Sequence, residues 1–146
     1  MVQDVGGDIH FEVMGLYQVY EIDTGRILSS ITVSEEVAEY MRGRGETLVE
    51  GNGNDQEYFV DVRISPPEIK ERPMQRTRQD KASIRADGRD FMTLSDLPRP
   101  CVVQVGAERY EVPDGILEWG TRRAGEYPLR AVAFPWLDWE GTVTAG

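Results

Sequence analysis

Residues 65–80 read SPPEIKERPMQRTRQD, and this run decides how the rest of the chain is divided. Its three prolines fix φ, bias the residues before them toward extended backbone and withhold donors from any ladder. Ile69 and Met74 are too sparse to make an apolar face of either period. The run is therefore expected to be an extended linker, residues 65–80, between two modules. In a chain of 146 residues each side has the size of a small domain. A module of that size buries only about 60 % of the surface its unfolded chain exposes, so it depends on neighbours for stability.

Working upstream, LYQVY and GRILSSITV are β-rich runs joined by EIDTGR, whose Asp23, Thr24 and Gly25 supply turn chemistry. They predict a hairpin. In TVSEEVAEYMRGRG, Thr32 or Ser34 can cap a helix, Glu35 and Glu36 load its N-terminus, and Gly43 or Gly45 can end it. Val33, Val37, Tyr40 and Met41 fall on one stripe of that helix. ETLVE and QEYFVDVR then flank EGNGNDQEY (50–58) and are expected to form a second hairpin. Residues 16–64 so become a ββαββ module. Residues 1–15, with three glycines and one short apolar cluster, are expected to be an N-terminal arm.

Downstream, KASIRA, FMTLS, CVVQV, RYEV, ILEW, YPLRAVAF and WEGTVTA are short strand-like runs separated by the turn signals ADGRD, DLPRP, GAE, PDG and RAGE. No helical period fits the intervals. Residues 81–146 are expected to be an Ig-like antiparallel β-sandwich, without the Cys-Trp-Cys pattern of immunoglobulins. The whole is expected to be mainly β, α+β overall.

The net charge of −10 is uneven. Residues 1–73 hold 15 acids and 6 bases, and residues 74–146 hold 11 and 10. The acidic first half repels phosphate backbones and anionic lipid, which argues against nucleic-acid or membrane-surface binding. Arg72, Arg76, Arg78, Lys81, Arg85 and Arg89 cluster near the linker, but acids interleave them and no aromatic lies between Arg72 and Arg89 to stack a base. Pairing with the acidic module or a neighbouring subunit suits them better. The start of the chain has neither a basic n-region nor an apolar h-region, and no run approaches the ~20 residues that span a bilayer. Synthesis in a reducing cytosol is the expectation.

For EGNGNDQEY, a calcium β-roll needs tandem nonapeptides, an EF-hand needs ligands over twelve residues, and a P-loop needs a lysine and a helix. None of these is present, so a glycine-turn corner is the better reading. His10 is the only histidine and Cys101 the only cysteine. A tetrahedral zinc site would have to recruit two carboxylates besides them, and Cys101 sits in the apolar run CVVQV, where a small buried side chain fits. Acid pairs such as Glu35 with Glu36 or Asp138 with Glu140 are read as solvated faces, since a glycosidase pair is defined by separation across a cleft, which sequence does not show. No catalytic, cofactor or metal residue is therefore expected. His10 and Phe11 in the arm, with Trp136 and Trp139 in AFPWLDWE, are the candidate partner contacts, although a place in the core is the favoured reading of each tryptophan ring.

The order YQVYEIDTGRI, VEGNGNDQEYFV, ERPMQ, ADGRDFMTLSDLPRPCVVQV and AFPWLDWEGTV resembles small virion-associated proteins that tailed bacteriophages encode near their tail and tail-fibre genes. The resemblance implies a non-enzymatic structural or adaptor part of the tail, collar or fibre-attachment region. Its partners would be other virion proteins and copies of itself in a symmetric assembly, and its location the virion after synthesis in the bacterial host cytoplasm. Two alternatives are a tail-fibre assembly chaperone absent from the mature particle and a carboxylate-based glycan hydrolase.

Overall fold

A computed structural model describes residues 13–146. The chain is mainly β, with several antiparallel sheets and one helix among the described residues. It divides into two compact units between Glu71 and Arg72, inside the run 65–80.

In the first unit, β1 (Met14–Tyr20) pairs antiparallel with β2 (Ile27–Ser34) on one side and β3 (Leu48–Glu50) on the other. Strand β1 thus begins inside the expected arm. Period-2 alternation gives this sheet two apolar faces. Tyr17, Val19, Ile31, Val33 and Leu48 form one face, which packs on Ala38 and Met41 of α1 (Glu35–Gly43). Tyr20, Ile27 and Val49 lie on the other, under Val60, Tyr58 and Ile69 of β4 (Tyr58–Asp61) and β5 (Glu68–Glu71). Gln18 lies fully buried between strands, its Nε2 donating to the Gly51 carbonyl at 2.9 Å and its Oε1 accepting from Ser30 Oγ at 2.6 Å. Both ends of the amide are satisfied, as burial requires.

Ser34 caps α1 by accepting from the Val37 N–H at 3.2 Å. At the other end Gly45, at φ +93°, donates to the Arg42 carbonyl and Glu46 to that of Met41, a Schellman ending. The expected stripe is corrected here. Ala38 is the buried residue, while Val37 and Tyr40 are 42 % and 65 % exposed, because a small side chain lets the helix approach the sheet closely.

The expected second hairpin is also corrected. β3 pairs with β1, whereas β4 pairs with β5, Val60 facing Ile69. EGNGNDQEY carries the chain from one sheet to the other. Gly51 donates to the Leu16 carbonyl at 2.9 Å, and Asn54 Oδ1 accepts from the Gln56 and Glu57 N–H groups at 3.0 Å each. The stretch is a corner, but it does not close a hairpin.

The second unit holds a five-stranded and a three-stranded sheet. The larger orders β10 (Glu108–Val112), β9 (Cys101–Val105), β12 (Gly125–Val132), β13 (Trp139–Ala145) and β7 (Ser83–Ile84), with β7 parallel to β13. The smaller orders β11 (Leu117–Trp119), β8 (Met92–Ser95) and β6 (Arg78–Gln79). Both sheets contribute to one core that includes Met92, Leu94, Trp119, Val103, Leu129 and Val143. Strands β5 and β6 lie within residues 65–80, so that run is not extended throughout without partners: four of its residues belong to β5 and two to β6.

Candidate functional site

The residues after the unit boundary build the most elaborate polar arrangement of the second unit. Arg72 lies over the Phe134 ring, 5.1 Å from its centroid, and donates through Nε to the Pro135 carbonyl at 3.0 Å and through an Nη to that of Trp136 at 2.7 Å. Pro73 accepts from the Leu137 N–H at 2.8 Å. Gln75 Nε2 donates to the carbonyls of Ala131 and Leu137, each at 2.9 Å, while its Oε1 accepts from Thr77 Oγ1 at 2.7 Å. Trp136 N–H closes a turn onto the Ala133 carbonyl, and Arg130 Nε holds Asp138 at 3.0 Å. The Arg72 guanidinium and the Gln75 amide thus satisfy the Pro135, Trp136 and Leu137 carbonyls of the loop between β12 and β13, while the Thr77 hydroxyl holds the Gln75 amide in place. The loop is fixed by side chains of residues 72–77.

That fixed loop, with its cis Phe134–Pro135 bond, forms one wall of an open groove of about 830 Å³. The groove is also lined by Pro98, Arg99 and Pro100, Arg99–Pro100 also being cis, and by Arg109, Glu111 and Pro113 of β10 and its end. Trp136 lines the groove and is half-buried. The groove combines apolar walls with two guanidinium groups and one carboxylate, the mixed lining of a binding surface.

No family model, curated protein or solved structure matches the chain.

The three tryptophans have different environments. Trp119 is buried and meets Tyr127 edge-on at 4.7 Å between centroids. Trp139 is half-buried against the core with its ring over Gly141, where a Cβ would come within 2.7 Å of it. Of the described residues proposed as partner contacts, Trp136 lines the groove and Trp139 does not. His10 and Phe11 lie outside the described residues. Cys101 is buried and lines the groove floor, and burial raises its thiol pKa, which disfavours the thiolate.

The bases near the boundary find partners within the second unit. Arg78 lies 3.0 Å from Asp96, Lys81 2.8 Å from Asp90, and Arg85 3.8 Å from Asp90. Among the described residues no group of three or more His, Cys, Asp or Glu side chains is placed to hold a metal ion, and no helix is long and apolar enough to cross a membrane.

Among the described residues of the first unit one acid, Asp61, is buried. The Asp61 side chain is 3 % exposed and accepts from Arg63 Nε and the Arg63 backbone N–H at 3.1 Å each and from Lys70 Nζ at 2.8 Å. The Arg63 hydrogen bond, then that of Lys70, holds its carboxyl far below the ordinary 3.8. A carboxylate so occupied is a poor proton acceptor and serves to join the β4–β5 pair. Because its folded pKa is depressed, its contribution to stability is present above about pH 4, the unfolded value, and is lost as pH falls toward the folded value. Urea midpoints should therefore drop from about pH 4 toward about pH 2, and Asp61→Asn should be less stable at neutral pH with a flatter profile over that window. Parallel profiles for the two proteins would assign the acid loss to other carboxylates.

The sequence reading named Arg72 only among the bases near the linker, and it missed Gln75 and Thr77. A signal was present: in an extended run, Gln75 and Thr77 are two apart and share a side, while Met74, 78 % exposed, points away.

Proposed function

We propose that the chain is a non-enzymatic structural or adaptor component of a tailed-phage virion, in the tail, collar or fibre-attachment region, acting through protein contacts. Two supports come from the sequence, namely its resemblance to small virion-associated proteins and the size of its modules. The observation that carries the reading to a surface is the groove beside Trp136. Its wall is locked by Arg72 and Gln75 before any partner arrives, so binding there orders little further. A half-buried tryptophan between proline-bearing loops is the kind of anchor on which interface energy concentrates.

In the same reading, residues 81–146 form an Ig-like β-sandwich and the first unit derives from a ββαββ plan with β5 added. Two sheets sharing one core support the former. Other virion proteins and copies of this chain are its partners.

The test is incorporation into particles made by a phage that lacks its own copy and is complemented in trans. Wild-type chain is expected in the particles, and Trp136→Ala is expected to reduce its amount about tenfold or more, as loss of a central aromatic anchor does. Circular dichroism would verify that the variant folds. Equal incorporation of a folded Trp136→Ala chain would remove the groove from the interface.

A further inference from the structure

We propose that the open edge of β2 is a homodimer interface, formed by antiparallel pairing with β2 of a second copy. The inference rests on the reading that the chain acts through protein contacts and names one surface through which it does so.

β2 is an outer strand of its sheet, paired only with β1 among the described residues. It runs eight residues, ILSSITVS, with no charge and no proline. The outer side of β4 has its Val60 N–H taken by the Gly25 carbonyl, and the remaining edges are guarded in the ways that prevent strand addition. β10 carries Glu108, Arg109 and Glu111, β5 carries Glu68, Lys70 and Glu71, and β3, β6, β7 and β11 are two or three residues long. An unguarded strand of this length stands out in a chain with 29 % charged residues.

The ladder shows which backbone groups are available. Gly51 N–H takes the Leu16 carbonyl, so Leu16 faces β3 and the next residue, Tyr17, faces β2, where its partner is Ile31. Hydrogen-bonding directions alternate along a strand. Ile31 therefore points its N–H and C=O at β1, and the backbone groups of Ser30 and Thr32 point outward. Both residues are exposed.

The chemistry of the two ends argues for a second copy in antiparallel sense. One end carries Arg26 and Leu28, the latter 59 % exposed, and the other leads into exposed Glu35, Glu36 and Val37. Pairing about a twofold axis at Ile31 keeps opposed residues on the same face. It brings Arg26 of each copy, which also lies 3.8 Å from its own Asp55, toward Glu36 of the other, so that base meets acid at both ends. This is the self-complementarity that an isologous interface requires.

The experiment is sedimentation equilibrium of the full chain over micromolar concentrations, on wild type, Thr32→Lys and Thr32→Pro, with far-UV circular dichroism of each. Thr32→Lys places like charges across the proposed axis, and Thr32→Pro removes an outward donor without touching the β1 ladder. The expected result is a wild-type dimer whose dissociation constant rises about tenfold or more in both folded variants. If Thr32→Pro misfolds, the lysine variant decides. A monomeric wild type, or a dimer that Thr32→Lys leaves unchanged, would overturn the proposal. A wild type that dimerises only after deletion of residues 1–12 would also overturn it, by assigning the edge to the chain's own N-terminal segment. A monomer that is nonetheless incorporated into particles would overturn this inference and leave the virion reading standing.

Discussion

Replacing Gly25 by alanine is expected to destabilise the first unit by about 4 kcal/mol or more, the largest effect of adding one methyl group to any described glycine. Gly25 sits at φ +82°, where an L side chain is strained by about 1–2 kcal/mol. The steric clash costs more. A Cβ there would lie 1.8 Å from the Val60 carbonyl oxygen, a backbone atom that cannot rotate aside. The same contact region holds the Val60 N–H on the Gly25 carbonyl at 2.8 Å, the link by which the β1–β2 turn meets β4. Alanine must therefore push β4 away and uncover Tyr20, Ile27 and Val60 together. Hydrogen exchange read by mass spectrometry should show lost protection in peptides covering residues 14–71. Full protection of those peptides in the alanine variant would mean that the turn and β4 do not approach as described.

Gln75→Ala is expected to cost about 2–3 kcal/mol, because it leaves the Ala131 and Leu137 carbonyls and the Thr77 hydroxyl without their partner, and Ala131 is fully buried. Gln75→Glu should be worse at neutral pH. It keeps the shape but turns a charged acceptor toward two carbonyl oxygens. Acidification should recover part of that loss, since a protonated carboxyl donates one hydrogen bond. Tryptophan fluorescence suits the measurement, because Trp119, Trp136 and Trp139 all belong to the second unit. A Gln75→Ala midpoint within about 0.5 kcal/mol of wild type, the range of ordinary surface changes, would show that residues 72–77 do not hold the loop.

The strands of the second unit after β6 were legible because each is a short period-2 run between turn residues. WEGTVTA coincides with β13 at every residue, and CVVQV with β9. β5 and β6 were not, since EIKE and RQ hold one apolar residue between them and owe their place to backbone pairing with β4 and β8. The corner at residues 50–58 misled for a related reason. Its glycine and asparagine steps report that the chain turns, but which strands pair afterward is settled by non-local contacts, Tyr17 with Glu50 and Val60 with Ile69. In the helix, bulk suggested Val37 and Tyr40 for the inner face, whereas close approach to the sheet selects Ala38. Of the candidate site, Trp136 was visible in the sequence. The residues that fix its loop were hidden in a polar run that reads as a linker, because hydrogen bonds from Arg72 and Gln75 to carbonyls some sixty residues away leave no local pattern.

Whether the chain is a built-in part of a virion is tested most directly by quantitative mass spectrometry of purified particles of the phage that encodes it. A fixed copy number per particle, matching a tail or portal symmetry, is the expected result. Absence from finished particles, with the chain left in the lysate, would contradict it and favour an assembly chaperone.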